Sequence, residues 1–398
     1  MSVETQGTKT RRTAPKPAPW NDPRVRSILY QVVVIGGVLL FATYLVNNTL
    51  VNLEERNIRT GFGFLEHEAG FAIGEHIIEF TPADSYARAF LVGITNTLRV
   101  AVLGIIFCTI LGTIIGIARL SQNWLIRKLA SVYVETVRNI PLLLQLFAWY
   151  TVIGEMLPIA RDAVAVGPSI YLSKSGLQFP APLDAIGFDF AMIGFVLALG
   201  VAWFYRRWTG KVQERTGQQK PLFLPILGLL IGLPLIGWLV GGAPTAFDVP
   251  ALGKFRIEGG TRVTPEFLAL LLGLTIYTSG FVAEIVRSGI LAINRGQTEA
   301  GLAIGLRRGK VMRLIVMPQA LRVIVPPTTS QYLNLTKNSS LAVAIGYPDL
   351  VSIGNTTLNQ TGQAIEAISI YMLVYLTISL SISGFMNWYN KHIALVER

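Results

Sequence analysis

The chain has 398 residues, of which 52% are hydrophobic and only 14% are charged. Soluble domains carry about 25% charged residues, so this composition excludes a soluble globular protein and indicates a chain that crosses a membrane several times. The formal net charge of +11 agrees with basic cytoplasmic loops and requires no nucleic-acid partner. The single cysteine, Cys108, excludes a disulfide framework and a cysteine-built metal site.

The first feature along the chain is a polar, Pro-rich and basic stretch over residues 1–28. We expect a disordered cytoplasmic tail without a cleavable signal, because the apolar run after it is longer than a signal's apolar region. Eight apolar segments then approach the roughly 20 residues needed to cross a bilayer. They are 29–50, 91–118, 130–157, 189–205, 221–241, 265–288, 313–336 and 367–388. The sequence therefore predicts an all-α polytopic membrane protein with about eight transmembrane helices.

The distribution of Lys and Arg predicts how these helices are oriented. With the N-terminus in the cytoplasm, the predicted inner segments hold 22 of the 34 basic residues and the outer segments hold nine. Basic residues concentrate on the cytoplasmic side of membrane proteins, so we expect both termini there. The remaining three basic residues lie within predicted spans; they are Arg99, Arg138 and Arg322.

Residues 51–88 form the first predicted outer segment, with seven acidic residues among Phe and Ile. The stretch from Gly61 to Ile78 predicts an amphipathic segment lying on the outer (periplasmic) membrane surface. His67 and His76 lie next to Glu residues, but their spacing matches no short metal-ligand motif. We therefore predict no metal site in this segment.

Glycines four residues apart occur in two of the predicted spans. Gly112 and Gly116 lie in the second span, and Gly228 and Gly232 lie in the fifth. This spacing allows two membrane helices to approach closely. Both pairs are therefore predicted sites of helix packing.

Two predicted spans carry a Glu and an Arg three residues apart, which places both on one helical face. Glu135 and Arg138 precede Pro141, where the helix can bend or re-enter. Glu284 and Arg287 end the sixth span. Charges at membrane depth are costly and mark either a pathway or a structural ion pair. The sequence leaves both interpretations open.

The outer end of the seventh span carries Lys337 beside amides and hydroxyls. Such a cluster suits the carboxylate of an amino acid, although a solvated helix end is an equally good interpretation. Together with two hydroxyls of the sixth span and the charged residues above, it gives a candidate substrate path. Its members are Glu135, Arg138, Thr278, Ser279, Glu284, Asn334, Lys337, Asn338 and Ser339.

Residues 158–262 are predicted to be an insertion into this plan. They comprise a polar outer loop, two extra spans, a basic inner loop and a second outer loop. Without the insertion, the segments 29–157 and 265–390 remain as the core of the plan. The residues of the insertion indicate no chemistry of their own.

The most informative stretch is a polar and basic island at about residues 289–318, between two apolar segments. Residues 299–304 favour a helix, Gly305 interrupts it, and residues 310–317 favour a helix again until Pro318. The first short helix carries a small apolar face that suits a groove on another protein.

This spacing resembles the coupling loop of bacterial ABC-importer permeases, in which Glu-Ala-Ala is followed by a Gly and then by Ile-x-Leu-Pro. The matching residues are Glu299, Ala300, Gly305, Ile315 and Pro318, with Gly301 and Met317 as small or apolar replacements. The stretch from Tyr133 to Gln145, and the Ala-Glu-x-x-Arg pattern that ends the sixth span, resemble the polar amino-acid branch of the same family.

The resemblance covers about residues 89–390 apart from the insertion. It implies a type I importer transmembrane domain in a long form, similar to permeases for general L-amino acids or for glutamate, glutamine, aspartate and asparagine. It further implies a bacterial inner (cytoplasmic) membrane location, surrounded by membrane lipid. By resemblance, the residues that couple this chain to an ATPase are Glu299, Ala300, Gly301, Gly305, Arg307 and Pro318.

The partners that the resemblance implies are ATP-binding subunits, a periplasmic amino-acid-binding protein and a second permease, with a heterodimer favoured over a homodimer. No phosphate-binding Gly-Lys-Ser/Thr loop occurs, because each Gly-Lys pair is followed by Val or Phe. We therefore expect no enzymatic activity and no cofactor here, with ATP and Mg²⁺ bound by the partner ATPase. The alternative is an ion-gradient-driven amino-acid carrier, which would show matched halves with broken helices.

Overall fold

The computed structural model describes residues 23–55, 60–183, 185–218, 220–254 and 256–393. Most of the predicted tail, residues 1–22, lies outside the described residues. The described chain is mostly helical, as predicted from its sequence. The helices are α1 Pro23–Glu55, α2 Tyr86–Ala118, α3 Trp124–Asn139, α4 Leu142–Thr151, α5 Ala185–Thr216, α6 Phe223–Val240, α7 Pro265–Leu291, α8 Arg295–Ala303, α9 Arg308–Val311, α10 Met317–Asn338, α11 Leu350–Thr361 and α12 Ala364–Ile393.

Six of the eight predicted spans are helices long and apolar enough to cross a membrane, within the described ranges; they are α1, α2, α5, α6, α7 and α12. The third predicted span, 130–157, is divided into α3 and α4. Ile140 has extended backbone angles (φ −93°, ψ 127°) because the ring of Pro141 disfavours a helical residue before it. The seventh predicted span lies in a continuous helix but is too polar to meet the same criterion.

Helices α2 and α7 pack directly against each other at two glycines of α2. A Cβ atom added to Gly112 would lie 2.6 Å from Cβ of Val282, and one added to Gly116 would lie 2.7 Å from the carbonyl oxygen of Ala283. The prediction of close packing at these two glycines is confirmed. Absence of their side chains lets the two helices touch along their length.

The second predicted glycine pair does not pack. A Cβ atom added to Gly228 or Gly232 would meet no atom within 4 Å. Helix α6 contacts α5 through a different pair, Gly237 and Gly241, whose added Cβ atoms would overlap the backbone of α5. The prediction that α6 packs through glycines four residues apart was therefore right, but it chose the wrong pair of glycines. Helix α6 is apolar on every side, so its sequence does not indicate which face another helix covers.

The outer loops of the predicted insertion contain short antiparallel strands that the sequence analysis did not predict. One sheet has the order β1-β2-β3-β8, and β4 pairs with β5 and β6 with β7. The strands are β1 Val164–Gly167, β2 Ile170–Ser173, β3 Gly176–Phe179, β4 Ala181–Pro182, β5 Phe247–Asp248, β6 Ala251–Leu252, β7 Ile257–Glu258 and β8 Thr261–Val263. Since β3 pairs with β8 and β4 with β5, the two loops that flank the α5–α6 hairpin lie at the same end of it.

Residues 60–85, here called the cap segment, fold onto one end of the bundle. Its apolar residues Phe64, Ala69, Ile73 and Phe80 are buried against the first turns of α2 and α12 and against α11. Part of the apolar side of the segment therefore packs on protein, whereas Phe62 and Ile77 are more than half exposed. Its location on the outer membrane surface stays a prediction.

The cap segment is fixed by a buried ion pair. Glu75 is 7% exposed, and its Oε1 lies 2.5 Å from Nη1 of Arg99 in α2. The other carboxylate oxygen of Glu75 accepts a hydrogen bond from the hydroxyl of Thr264, the residue before α7. The guanidinium of Arg99 also lies 4.0 Å from the ring centroid of Phe267. The first of the three arginines within predicted spans is therefore fully partnered.

We expect Gly112→Ala to lower the unfolding temperature of the protein in detergent, because the new methyl group would overlap Val282. Overpacking costs about 1–3 kcal/mol, more than the roughly 0.5–1 kcal/mol that alanine gains over glycine in a helix. The matched control is Gly228→Ala, which enters open space and should leave the unfolding temperature equal or raise it. Equal unfolding temperatures for the two variants would contradict the α2–α7 contact.

Candidate functional site

The polar island forms two short arms joined by a glycine hinge. Helix α8 begins after Asn294, whose Oδ1 accepts a hydrogen bond from the backbone N–H of Gly296. It ends in a Schellman motif, in which the N–H of Leu306 donates to the carbonyl of Gly301 and the N–H of Gly305 donates to Leu302. Gly305 has φ +82°, a left-handed conformation. The predicted interruption of the helix at Gly305 is confirmed.

The second arm does not end at Pro318, and that prediction is wrong. Helix α9 continues through a π-helical turn, Met312–Val316, directly into α10. Pro318 lies in the first turn of α10. The wide π turn just before it changes the hydrogen-bonding partners, so the missing N–H of proline interrupts no regular helix there. The coupling region and the seventh predicted span are consequently one continuous helical element.

The two arms pack against each other at Gly301. A Cβ atom added there would lie 2.8 Å from Cδ1 of Ile315 and 3.0 Å from Cγ2 of Val311. This contact accounts for a glycine at the position where alanine is usual in the family that the island resembles. At Gly301 the gap between the two arms is too small for a methyl group.

The opposite side of the hinge is exposed. Glu299, Ala300 and Arg307 are exposed, and Ile304 is 76% exposed. A large aliphatic side chain exposed at the tip of a polar loop is typical of a surface that docks onto another protein. The six predicted coupling residues therefore comprise three exposed residues, the buried Gly301, the hinge Gly305 and the half-buried Pro318.

Glu284 joins the ends of α2 and α7 just before these arms. One of its oxygens pairs with Nη1 of Arg119, and the other lies 2.7 Å from Nη2 of Arg287. The predicted pair of Glu284 and Arg287 is thus present, and the structure adds a third member. Sequence analysis missed Arg119 because 165 residues separate it from Glu284. Both carboxylate oxygens are engaged, which favours a structural role for Glu284 over contact with substrate.

Glu135 and Arg138 do not form an ion pair. Both side chains are exposed on α3, and Arg138 has no carboxylate within 4 Å among the described residues. Its guanidinium lies 5.0 Å from the ring centroid of Phe281 in α7. The interpretation of these two residues as a structural pair is therefore wrong. A spacing of three residues permits a pair, but the packing of α3 on α7 places the guanidinium over an aromatic ring instead.

The other predicted path residues lie in two separate places. Thr278 and Ser279 are buried where α7 meets α3, and the hydroxyl of Ser279 lies 2.7 Å from that of Tyr133. Asn334 and Lys337 are exposed near the end of α10, while the half-buried Asn338 and the buried Ser339 follow them. The structure of the single chain does not bring the nine predicted path residues into one site.

A cavity of about 380 Å³ lies between α2, α7, α10 and α12. Its walls are mainly apolar, with hydroxyl groups from Thr109, Thr113, Thr328, Tyr332 and Tyr389. The hydroxyls of Thr109 and Tyr332 lie 2.8 Å apart across it. None of the predicted path residues lines this cavity. The only sequence signal for this cavity was the presence of Thr and Tyr residues within apolar spans. Such residues are common in membrane helices, so they do not indicate a cavity by themselves.

Comparison with known proteins finds transport permeases that match nearly the whole chain. The family described as "Binding-protein-dependent transport system inner membrane component" matches residues 221–395. The chain is 51% identical over 377 residues to the general L-amino acid transport system permease protein AapQ of Rhizobium johnstonii, covering 95% of this chain and 94% of AapQ.

Two further relatives have comparable coverage. The putative amino-acid ABC transporter permease protein YhdX of Escherichia coli K12 is 48% identical over 378 residues, covering 95% of this chain and 96% of YhdX. The glutamate/glutamine/aspartate/asparagine transport system permease protein BztB of Rhodobacter capsulatus is 44% identical over 409 residues, with coverage of 95% and 96%. Coverage this high includes most of residues 158–262, so these relatives share the insertion.

We expect Glu284→Gln to lower the unfolding temperature by several degrees, since it leaves the guanidinium groups of Arg119 and Arg287 without a counter-charge. Removing one partner of a buried pair costs about 3–5 kcal/mol, and we expect a fraction of that because Glu284 is 28% exposed. Glu135→Gln is the matched control, an exposed Glu three residues before an Arg but without an ion pair. An equal effect of both substitutions would contradict the role assigned to Glu284.

Proposed function

Because this chain belongs to the family of binding-protein-dependent inner membrane permeases, we propose that it carries polar L-amino acids across the membrane in an ATP-driven importer. Among these, the proposed substrates are general or acidic amino acids and their amides, the class named for AapQ and BztB. The observation that carries the proposal is identity of 44–51% over almost the full length of three amino-acid permeases. The match of residues 221–395 to the family of inner membrane components would by itself support only membership of that wider transport family.

The coupling arms supply the mechanical part of the proposal. Helix α8 is held by an N-cap at Asn294 and by the Schellman motif at Gly305, so it is presented as a rigid unit. Its exposed Glu299 and Ile304 suit a groove on an ATPase subunit that binds ATP and Mg²⁺. Closure of an ATPase dimer would move α8, and the continuous α9–α10 element would carry that movement into the bundle.

The remaining partners follow from the same family membership. A binding protein would deliver the amino acid at the end of the bundle that carries the cap segment, opposite the coupling arms. A second permease would complete the path, and we favour an unlike chain over a second copy. Sequence relatives described as permease proteins of transport systems give no support to the ion-gradient-driven carrier.

The docking surface is tested by Glu299→Lys. The residue is exposed, so we expect normal abundance of the variant in the membrane and loss of ATP-driven amino-acid uptake in proteoliposomes that contain the complete importer. Reversing the charge at the docking face should separate the ATPase from the permease. Wild-type uptake at equal abundance would contradict the proposed coupling.

The hinge is tested by comparing Gly305→Ala with Gly309→Ala. A Cβ atom at either position meets no atom within 4 Å, but only Gly305 has a positive φ. Alanine there costs about 1–2 kcal/mol, so we expect uptake to fall about five- to thirtyfold as the hinge changes its geometry. Gly309→Ala should transport normally. Equal uptake by both variants would show that the left-handed hinge is not needed for coupling.

A further inference from the structure

Three arginines lie within predicted membrane spans, and the structure accounts for two of them. Arg99 pairs with Glu75 and stacks on Phe267, and Arg138 lies over the ring of Phe281. Arg322 in α10 is different. Its Nε and Nη2 atoms are buried and have no hydrogen-bond partner in the described part of the chain.

The guanidinium of Arg322 also has no carboxylate within 4 Å among the residues that the structure describes. An arginine in a protein stays protonated, so it cannot avoid the cost of burial by losing its charge. Burying charged nitrogen atoms without a partner is unfavourable. No residue that the structure describes supplies a compensating anion for the half-buried Arg322.

Arg322 belongs to a stripe along one side of α10 that carries five polar residues and is interrupted by Val323, Pro326 and Leu333. At 100° per residue, the stripe occupies an arc of about 120°. Its members are Gln319, Arg322, Ser330, Asn334 and Lys337. The opposite side of the helix carries the buried residues Ala320, Ile324, Thr328 and Leu335.

This stripe faces away from the bundle core, and most of it is exposed in the single chain. Polar and charged side chains at membrane depth face a water-filled path or another protein rather than lipid. The stripe extends from the coupling arms to the opposite end of α10, the length that a path across the membrane requires.

The backbone beside Arg322 supplies acceptors as well. Pro326 and Pro327 lie inside α10 and have no N–H, so they cannot donate to the carbonyl oxygens of Arg322 and Val323. Carbonyl oxygens freed in this way within a membrane helix are suited to a cation. Arg322 and two carbonyl groups that lack their regular i+4 N–H donor therefore belong to the same turn of α10.

We propose that Arg322 binds the α-carboxylate of the transported amino acid, while the carbonyl oxygens of Arg322 and Val323 accept hydrogen bonds from its ammonium group. The proposal rests on the proposed function and identifies where in this chain the substrate would be held. An α-carboxylate is the group that acidic amino acids and their amides share, which agrees with a site that accepts both.

The test uses the complete permease–ATPase complex in detergent, without the binding protein, and measures equilibrium binding of radiolabelled L-glutamine. We expect Arg322→Gln to weaken binding at least about tenfold and Arg322→Lys to weaken it less, because lysine keeps the charge but loses the two-pronged contact. L-glutamine α-amide lacks the carboxylate, so we expect it to bind the wild type weakly. Because the amide has no carboxylate for Arg322 to bind, its affinity for the Arg322→Gln variant should be no lower than its affinity for the wild type.

The matched control is Arg207→Gln, an exposed arginine of α5, which should bind L-glutamine as the wild type does. Unchanged binding by Arg322→Gln would overturn the proposal. So would dissociation of the second permease from this variant in size-exclusion chromatography, since the guanidinium would then serve a carboxylate of the partner chain. ATP-driven uptake by wild-type proteoliposomes tests the proposed function separately, because it does not depend on which residue holds the substrate.

Discussion

The direct contact between α2 and α7 is the constraint on which the rest of the structure depends. Gly112 and Gly116 leave no side chains between the two helices, so their ends are fixed relative to each other. At one end this brings Arg119 to Glu284, and at the other it brings Arg99 to Phe267. The ion pairs do not hold the helices together by themselves; they are possible because the helices already touch.

The coupling arms and the proposed substrate site belong to one mechanical element. The helix runs from Arg308 through the π turn to Asn338 without a break, and the proline at position 318 does not end it. Arg322 lies fewer than two helical turns beyond that π turn. A movement of α8, transmitted through the contact of Gly301 with Ile315, would therefore reach the proposed carboxylate site with few intermediate steps.

The insertion is built as a separate unit on the side of this machinery. Helices α5 and α6 pack mainly on each other, through Gly237 and Gly241, and the strands that flank them close the unit at one end. The pairing of β3 with β8 leads back to the start of α7. The shared insertion in AapQ, YhdX and BztB fits an addition that leaves the α2–α7 contact and the coupling arms unchanged.

The sequence by itself determined what depends on local chemistry: the membrane class, six of the spans, the hinge at Gly305 and the family. Apolar length and a glycine that must adopt a positive φ are properties of short stretches. Only the tertiary structure decided the partners of charged residues, because a spacing of three residues permits an ion pair without requiring one. It joined Glu284 to the distant Arg119, placed Arg138 on an aromatic ring and left two nitrogen atoms of Arg322 without a hydrogen-bond partner among the described residues.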